Sequence, residues 1–449
     1  MFSKKISLIL LIFSAAIMAK AQQQTQLDSV LTLQQCVDIA IKNNLNVKKS
    51  ATQTERDRIY WNQARENLLP NLNGSSSYSV SYGRGTTTSG VTVSAPSSKF
   101  ASFGLNSNLL LSNGLSYINA IKQTSLAYQA GQMDFQQVKD ETTLNIIALY
   151  FAALSSEDQL AQAKLQFEAS KTNLDRETTL NNAGNVAPAE YYNIKGAHSS
   201  DQINIYNAET AVLTAKINLL EAMNVAFKKD VKLERLQVSN SPAAYPQSSD
   251  DIYGTALGSL ALVKAADLRV KAFEKAVSVA KGKYYPTLSF GYGYGTQWSN
   301  NTGGGTDPVP SFSTQFSDNR SYGPSLNLSI PILNYFQTRN NVKLAKLDLV
   351  DAQSTNTYTK VQLKQQIEQA HGNMKSAYDR LQVLIPQVET YQAAYDAQKT
   401  KFDAGVITSD IFILAKNNLD AANVNLINAR YDYLIRTKIL DYYQGKLSF

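Results

Sequence analysis

The chain has 449 residues, of which 43 are basic, 36 acidic, two histidine and one cysteine. One cysteine excludes an intrachain disulfide and a thiolate metal cluster, and a formal charge of +7 is too mild to argue for nucleic acid. The charged residues read as solvated helix faces.

Met1 to Ala21 has the layout of a secretory signal: Lys4 and Lys5, an apolar run from Ile6 to Ile17, and the small-residue site Ala19-Lys20-Ala21. Cleavage there would remove three of the 43 basic residues and no acidic one, leaving a formal charge of +4. The first mature residue would be Gln22, so no lipid anchor is expected. Cys36 falls in Leu31 to Ile41, where helical spacing makes it a small buried apolar residue. Beyond Ala21 no apolar run approaches the ~18 residues of a membrane-spanning helix.

A helix is predicted to end before Pro70, because proline lacks the amide that a helix needs and biases its predecessor toward extended geometry. From Asn71 to Tyr82 the odd positions are all Asn or Ser, while Leu72, Tyr78, Val80 and Tyr82 share the opposite face of a strand. Ser98 to Leu111 repeats the alternation, with Ala101, Phe103, Leu105 and Leu109 against Ser102, Gly104, Asn106 and Asn108. Gly83 to Ser97 is read as the loop between them. From Leu115 to Lys171 there is no proline and only Gly131 interrupts, so a helix of nearly seventy residues, about 100 Å long, runs to a turn at Gly184. Glycine leaves a helix through positive φ without steric cost, which makes Gly184 a helix terminus. Val225 to Asp250, with Ser241-Pro242 and Tyr245-Pro246, is a connector.

The same order then recurs. Pro286 ends a helix, Leu288 to Trp298 alternates Leu, Phe, Tyr, Tyr, Thr and Trp with Ser, Gly and Gln, and Ser299 to Asp318 is a Gly-rich loop. Ser321 to Ile330 places Tyr322, Leu326, Leu328 and Ile330 opposite Ser and Asn, and Pro331 closes the strand. A long helix follows with a seven-residue seam of Ile367, Met374, Leu381, Val388 and Tyr395, which predicts coiled-coil packing. Pro386 should kink or break it, with no counterpart at Leu165. The turn is Phe402-Asp403-Ala404-Gly405, and a last helix carries Ala415, Leu419, Ala422, Leu426, Ala429 and Tyr433.

This recurrence is an internal repeat. An offset of 216 lays Pro70 on Pro286; after the first hairpin it becomes 221 and lays Asn113 on Asn334, Gly184 on Gly405 and Asn207-Ala208 on Asn428-Ala429. We therefore divide the chain into a signal peptide (1–21), a first repeat (22–224, hairpin 71–111), a connector (225–250) and a second repeat (251–449, hairpin 287–330). Four strands of ten to twelve residues have the length to cross a bilayer at a tilt, but four cannot close a barrel, and an open edge in lipid costs several kcal/mol per unpaired backbone group. The chain must oligomerise, and three copies supply twelve strands. The competing soluble reading, a sandwich with the apolar faces inside, fits poorly with hairpins that come directly off helices.

In these features the chain resembles the TolC-type outer-membrane efflux proteins. The resemblance covers both repeats and rests on Asn428-Ala429-Arg430-Tyr431-Asp432-Tyr433-Leu434-Ile435, which looks like the family's final-helix signature, on Phe402 to Gly405, and on the Pro70 and Pro286 joints. It implies a mainly α chain with a membrane β part: a homotrimer with a twelve-stranded outer-membrane barrel continued by a long coiled-coil α-helical barrel in the periplasm. It also implies contact with outer-membrane lipid, a periplasmic adaptor protein, and an inner-membrane transporter of RND, ABC or MFS type. The tips at Gly184 and Gly405 become the periplasmic entrance, with Glu190 at a family acidic position. In the second repeat the sequence departs from the family: Ile411 and Leu414 stand where aspartates can occur, Asp410 is the nearest carboxylate, and Ile407 falls where some members carry a latch arginine. Glu190 and Asp410 also suit plain helix N-termini, offsetting the macrodipole.

No catalytic site is expected. His198 takes a heptad place and His371 lies mid-helix; Gly291-x-Gly293-x-Gly295 falls in a strand with no helix after it, and Gly303-Gly304-Gly305 lacks the lysine of a phosphate loop. The predicted function is an export duct without cofactor or nucleic acid, either for efflux or for type I protein secretion. A trimeric adhesin is the more distant alternative, since its strands would lie together at the C-terminus.

Overall fold

The computed structural model describes residues 30–86, 92–228, 231–235, 243–300 and 309–446. The expected signal peptide, the Ser241-Pro242 step and the Gly303–Gly305 run lie outside these residues. The chain forms two compact units: one from residues 1–48, 138–253 and 366–449, the other from residues 49–137 and 254–365. Each unit draws on both sequence repeats.

The second of these units contains the strands. They are β2 (Asn71–Thr86), β3 (Thr92–Asn113), β5 (Thr287–Ser299) and β6 (Ser321–Ser329), while β1 (Val30–Leu31) and β4 (Lys232–Leu233) belong to the other unit. They form one antiparallel sheet in the order β2-β3-β5-β6, so the two hairpins join through β3 and β5. The register explains the alternation. Gly74, Leu105, Tyr294 and Tyr322 stand opposite one another on one face, as do Leu109, Phe290 and Leu326. On the other face Asn73, Asn106, Gly293 and Gly323 align, as do Asn71, Asn108, Gly291 and Ser325. All four apolar rows therefore coincide, and on the edge strand β6 they are open: Tyr322 is 72% exposed and Leu326 68%.

Two loops differ from expectation. β2 and β3 extend into Gly83 to Ser97 after a bulge between Ser81 and Gly83. Inside Ser299 to Asp318 a short helix, α7 (Phe312–Asp318), is capped by Ser311, whose hydroxyl accepts the Thr314 amide at 3.2 Å. Phe312 and Phe316 lie one turn apart and both pack against Phe103, and the Thr296 hydroxyl donates to the Phe316 carbonyl at 2.9 Å. A Gly-rich composition hid this helix.

The joints between sheet and helices repeat as the sequence does. Pro70 and Pro286 immediately precede β2 and β5, and Pro331 follows the end of β6. Where strand returns to helix, Gly114 and Leu115 adopt φ of 64° each, and their repeat partners Tyr335 and Phe336 adopt 53° and 58°. A Cβ on Gly114 would collide with the Gly282 carbonyl oxygen, so that joint requires glycine. Nearby, α2 (Leu45–Glu66) meets α3 (Ser116–Asn182) through the stacked pair Trp61 and Tyr128, 5.8 Å between ring centroids.

The first unit is helical around a small β element. β1 (Val30–Leu31) pairs in parallel with β4 (Lys232–Leu233), which lies in the connector. The fully buried Tyr150 of α3 reaches β1 and the residue just after β4: its hydroxyl lies 3.1 Å from the Leu31 carbonyl and 2.7 Å from that of Glu234. The adjoining helix α1 (Leu33–Asn43) opens with a capping box between Thr32 and Gln35 and buries Cys36 beside this core, where burial pushes the thiol pKa up to about 12. Further along the connector, Tyr433 donates to the Ala243 carbonyl at 2.6 Å, and Tyr245 donates to Asp441 at 2.9 Å.

The signature stretch of α9 (Ser409–Tyr443) has a packing role. Asn428 accepts from Gln159 of α3 at 2.9 Å, and Tyr431 donates to Asp158 at 2.8 Å while its ring lies 6.3 Å from Phe151. The heptad seam on α8 (Gln337–Asp403) is buried at Ile367, Met374 and Leu381 and half-buried at Val388 and Tyr395. Pro386 does not break α8, which continues to Asp403. The Gln382 carbonyl loses its helical partner, but the seam on either side holds the helix together.

Candidate functional site

The paired tips lie within the first unit, where α3 turns into α4 (Pro188–Ala222) and α8 into α9. Both turns have one construction. Gly184 and Gly405 each take φ of 72°. The Asn185 amide donates to the Leu180 carbonyl and the Gly184 amide to Asn181; in the second turn Val406 donates to Lys401 and Gly405 to Phe402. This is a Schellman closure, which satisfies the last carbonyls of a helix and needs a left-handed residue at the glycine. Pro188 and Ser409 then begin the return helices.

Phe402 and Glu190 bind the two turns to each other. Phe402 is buried and stacks on Phe412 with 4.7 Å between centroids and a 7° interplanar angle, and the pair packs with Ile194 of α4. Glu190 Oε2 accepts the backbone amide of Ser409 at 2.6 Å. Asn193 adds a bond from its side-chain amide to the Ser409 hydroxyl at 3.2 Å. Thr408 is the N-cap of α9 but makes no side-chain cap bond, so a carboxylate from α4 satisfies that helix start in its place. Asp410 instead serves its own helix. The Thr408 hydroxyl, then its own amide and that of Ile411, hold its carboxyl below the usual aspartate range. Glu190 and Asp410 therefore meet at neighbouring residues of one helix start, each engaged with backbone or hydroxyl donors.

Ile407 packs partly buried on the Phe402 cluster. The arginine of this tip is Arg176, on α3. Its guanidinium bonds the Asp403 side chain at 2.9 Å and the Asp403 carbonyl at 2.6 Å, and lies 5.6 Å from the centre of the Phe402 ring. Lys399 holds the other Asp403 oxygen at 2.8 Å. Beside Arg176, Glu177 is only 2% exposed, and its Oε2 has no hydrogen-bond partner. Burial raises its pKa, with Arg176 opposing and Glu190 and Asp403 adding to the rise. Sequence reasoning missed Arg176 and Glu177, because neither has a distinctive neighbour in sequence; the only signal was Asp403 in the Phe402 to Gly405 turn.

The histidines are packing residues. His198 stacks on Phe167 with 4.6 Å between centroids and shares a 3.0 Å hydrogen bond with Ser170. His371 Nε2 lies 3.2 Å from the Gln247 carbonyl. Among the described residues no three His, Cys, Asp or Glu side chains are placed to hold a metal ion. Among them, too, no helix is long and apolar enough to cross a membrane.

The family model described as outer membrane efflux protein matches residues 36–225 and 252–445, leaving out the connector after Val225 and the chain ends. Outer membrane protein TolC of Escherichia coli is 24% identical over 425 residues, covering 92% of this chain and 81% of that protein. In fold the chain is similar to CusC, with a TM-score of 0.77 at 16% identity over 92% of both chains. It is also similar to the Campylobacter jejuni outer membrane channel CmeC, with a TM-score of 0.74 at 18% identity over 92% of this chain and 85% of that one. The doubled hairpin, the twinned helical tips and a match that runs through both repeats lead to one conclusion: the chain belongs to the outer membrane efflux protein family.

Proposed function

We propose that this outer-membrane efflux channel works as a homotrimer, in which three four-stranded sheets close into one twelve-stranded barrel. The observation that carries the reading is the sheet β2-β3-β5-β6, open at both edges and with its Leu, Phe and Tyr residues gathered on one face. Unpaired edge groups in lipid cost several kcal/mol each. β6 of one copy against β2 of the next would pair both edges and keep the antiparallel alternation. The Asn, Ser and Gly face then lines water and the Tyr, Phe and Leu face meets outer-membrane lipid.

In this reading the turns at Gly184 and Gly405 form the periplasmic entrance, where an adaptor protein and an inner-membrane transporter of RND, ABC or MFS type deliver cargo. Asp410, exposed and held ionised, supplies one negative charge per copy there, while Glu190 serves first as the cap of α9. Pro70, Pro286 and Pro331 mark the passage between helix and barrel wall, one set from each sequence repeat. The chain has no catalytic step and needs no cofactor; its two histidines are occupied in packing.

The test is the mass of the detergent-purified protein together with its conductance in a planar bilayer. A trimer with discrete, long-lived conductance steps is expected. A stable monomer, or a trimer that passes no current under any condition, overturns the duct.

A further inference from the structure

Below the tip, α4 and α9 share a buried ion cluster that the duct reading does not use. Asp201 of α4 is 5% exposed, and its Oδ1 accepts from Lys416 Nζ of α9 at 2.9 Å. Lys416 is 6% exposed and also donates to Asp420 at 2.7 Å. Burial works against the lysine's charge, but Asp420 and Asp201 outweigh it and hold its pKa above the ordinary value. One ammonium thus serves two carboxylates, and burial raises the Asp420 pKa against the pull of that lysine, so the cluster holds more acid than base. The imbalance has an address, because Asp201 Oδ2 is buried and has no hydrogen-bond partner. A buried carboxylate oxygen without a donor costs more than an ordinary lost hydrogen bond.

Asp201 lines a cavity of about 650 Å³, together with Asp420 and Asp410. Ala197, Ile413 and Leu414 give the same cavity an aliphatic wall. Among the described residues no three carboxylate, imidazole or thiolate groups are placed to ligate a metal ion, so a bare divalent ion is a poor fit. An ammonium group is a good one: Lys416 already shows that nitrogen donors seat on these carboxylates at ordinary hydrogen-bond distance. Gln166 in the wall is a donor that acts on the Asp420 carboxylate and adds nothing for a cation.

We propose that the cavity between α4 and α9 binds an aliphatic amine, with one ammonium on Asp201 Oδ2, methylenes along Ala197, Ile413 and Leu414, and a second ammonium toward Asp410. The ligand class is a short diamine or polyamine, one per chain.

The experiment is equilibrium dialysis of the full-length detergent-purified protein against radiolabelled 1,4-diaminobutane, with Asp201→Asn and Ala197→Leu alongside. Saturable binding is expected for the wild type, at least tenfold weaker in D201N and in A197L, and retained when magnesium replaces sodium at equal ionic strength. Absence of saturable binding in the wild type overturns the proposal, and would fit a cavity filled by a basic side chain from a neighbouring copy. Unchanged affinity in either variant, or full displacement by magnesium, also overturns it. Should D201N fail to fold, A197L decides alone, since it fills the cavity and removes no charge.

Discussion

At the scale of single residues, the tip separates two glutamates that look alike in sequence. Glu190 is engaged, with its carboxylate on the Ser409 amide; Glu177 is enclosed, with one oxygen unpartnered. Glu190→Ala should cost about 0.5–2 kcal/mol, the range for a lost helix cap, and Glu190→Gln should recover part of it through its carbonyl oxygen; thermal unfolding of the two variants checks this. Glu177 behaves oppositely. Its folded pKa lies above the unfolded value, so the folded state keeps a proton that the unfolded state has released. Its contribution is therefore most favourable below the ordinary glutamate range and is lost as pH rises through the folded pKa. Glu177→Gln should raise the melting temperature at pH 7 and leave it nearly unchanged near pH 4. An equal shift at both pH values would show that Glu177 is not the titrating group. Glu190 was legible from its place after Gly184, whereas the partner that explains it, the Ser409 amide, stands 219 residues away.

At the scale of elements, glycine matters for two different reasons. Gly405 needs its φ of 72° but has open space where a Cβ would stand; Gly114 needs both its φ of 64° and the room. Gly405→Ala should cost about 1–2 kcal/mol from backbone conformation alone, and Gly405→Asn less, because asparagine tolerates the left-handed region. Gly114→Ala should cost visibly more than Gly405→Ala, since it also forces the chain off the Gly282 carbonyl. Chemical or thermal denaturation of the three variants gives the order. The repeat made Gly184 and Gly405 readable as one feature, but it did not foretell that Gly114-Leu115 and Tyr335-Phe336 share a left-handed pair of residues. That equivalence lies in the backbone, and glycine is present in only one of the two copies.

For the whole molecule, the two faces of the sheet should respond differently to charge. Leu326→Arg, on the apolar face, should destabilise the assembly by up to about 2–4 kcal/mol if the position lies near the bilayer midplane. Asn327→Arg, one residue along and on the other face, should leave assembly intact and shift ion selectivity toward anions. Heat stability of the detergent-purified assembly and reversal potentials in asymmetric salt distinguish the two. On the proposed duct reading, Asp410→Ala should weaken block by multivalent cations more than Glu190→Ala does, because Asp410 is exposed and Glu190 is spent on the α9 amide. Equal effects of the two would return Glu190 to the role of a charge facing the channel.

What the sequence determined by itself is periodicity: alternation of two in the strands, seven in the coiled-coil helices, and 216 to 221 between the halves. Periodicity is a local property, since each side chain's face follows from its neighbours along the chain, so strands, long helices and twinned tips were all readable. Only the tertiary structure decided which distant groups meet: β3 beside β5, Tyr150 on Leu31 and Glu234, Glu190 on Ser409, Arg176 on Asp403, and Asp201 with one oxygen left over. Those pairings come from packing helices and strands far apart in sequence, and no repeat length along one chain specifies which charge is left unpaired when the packing closes.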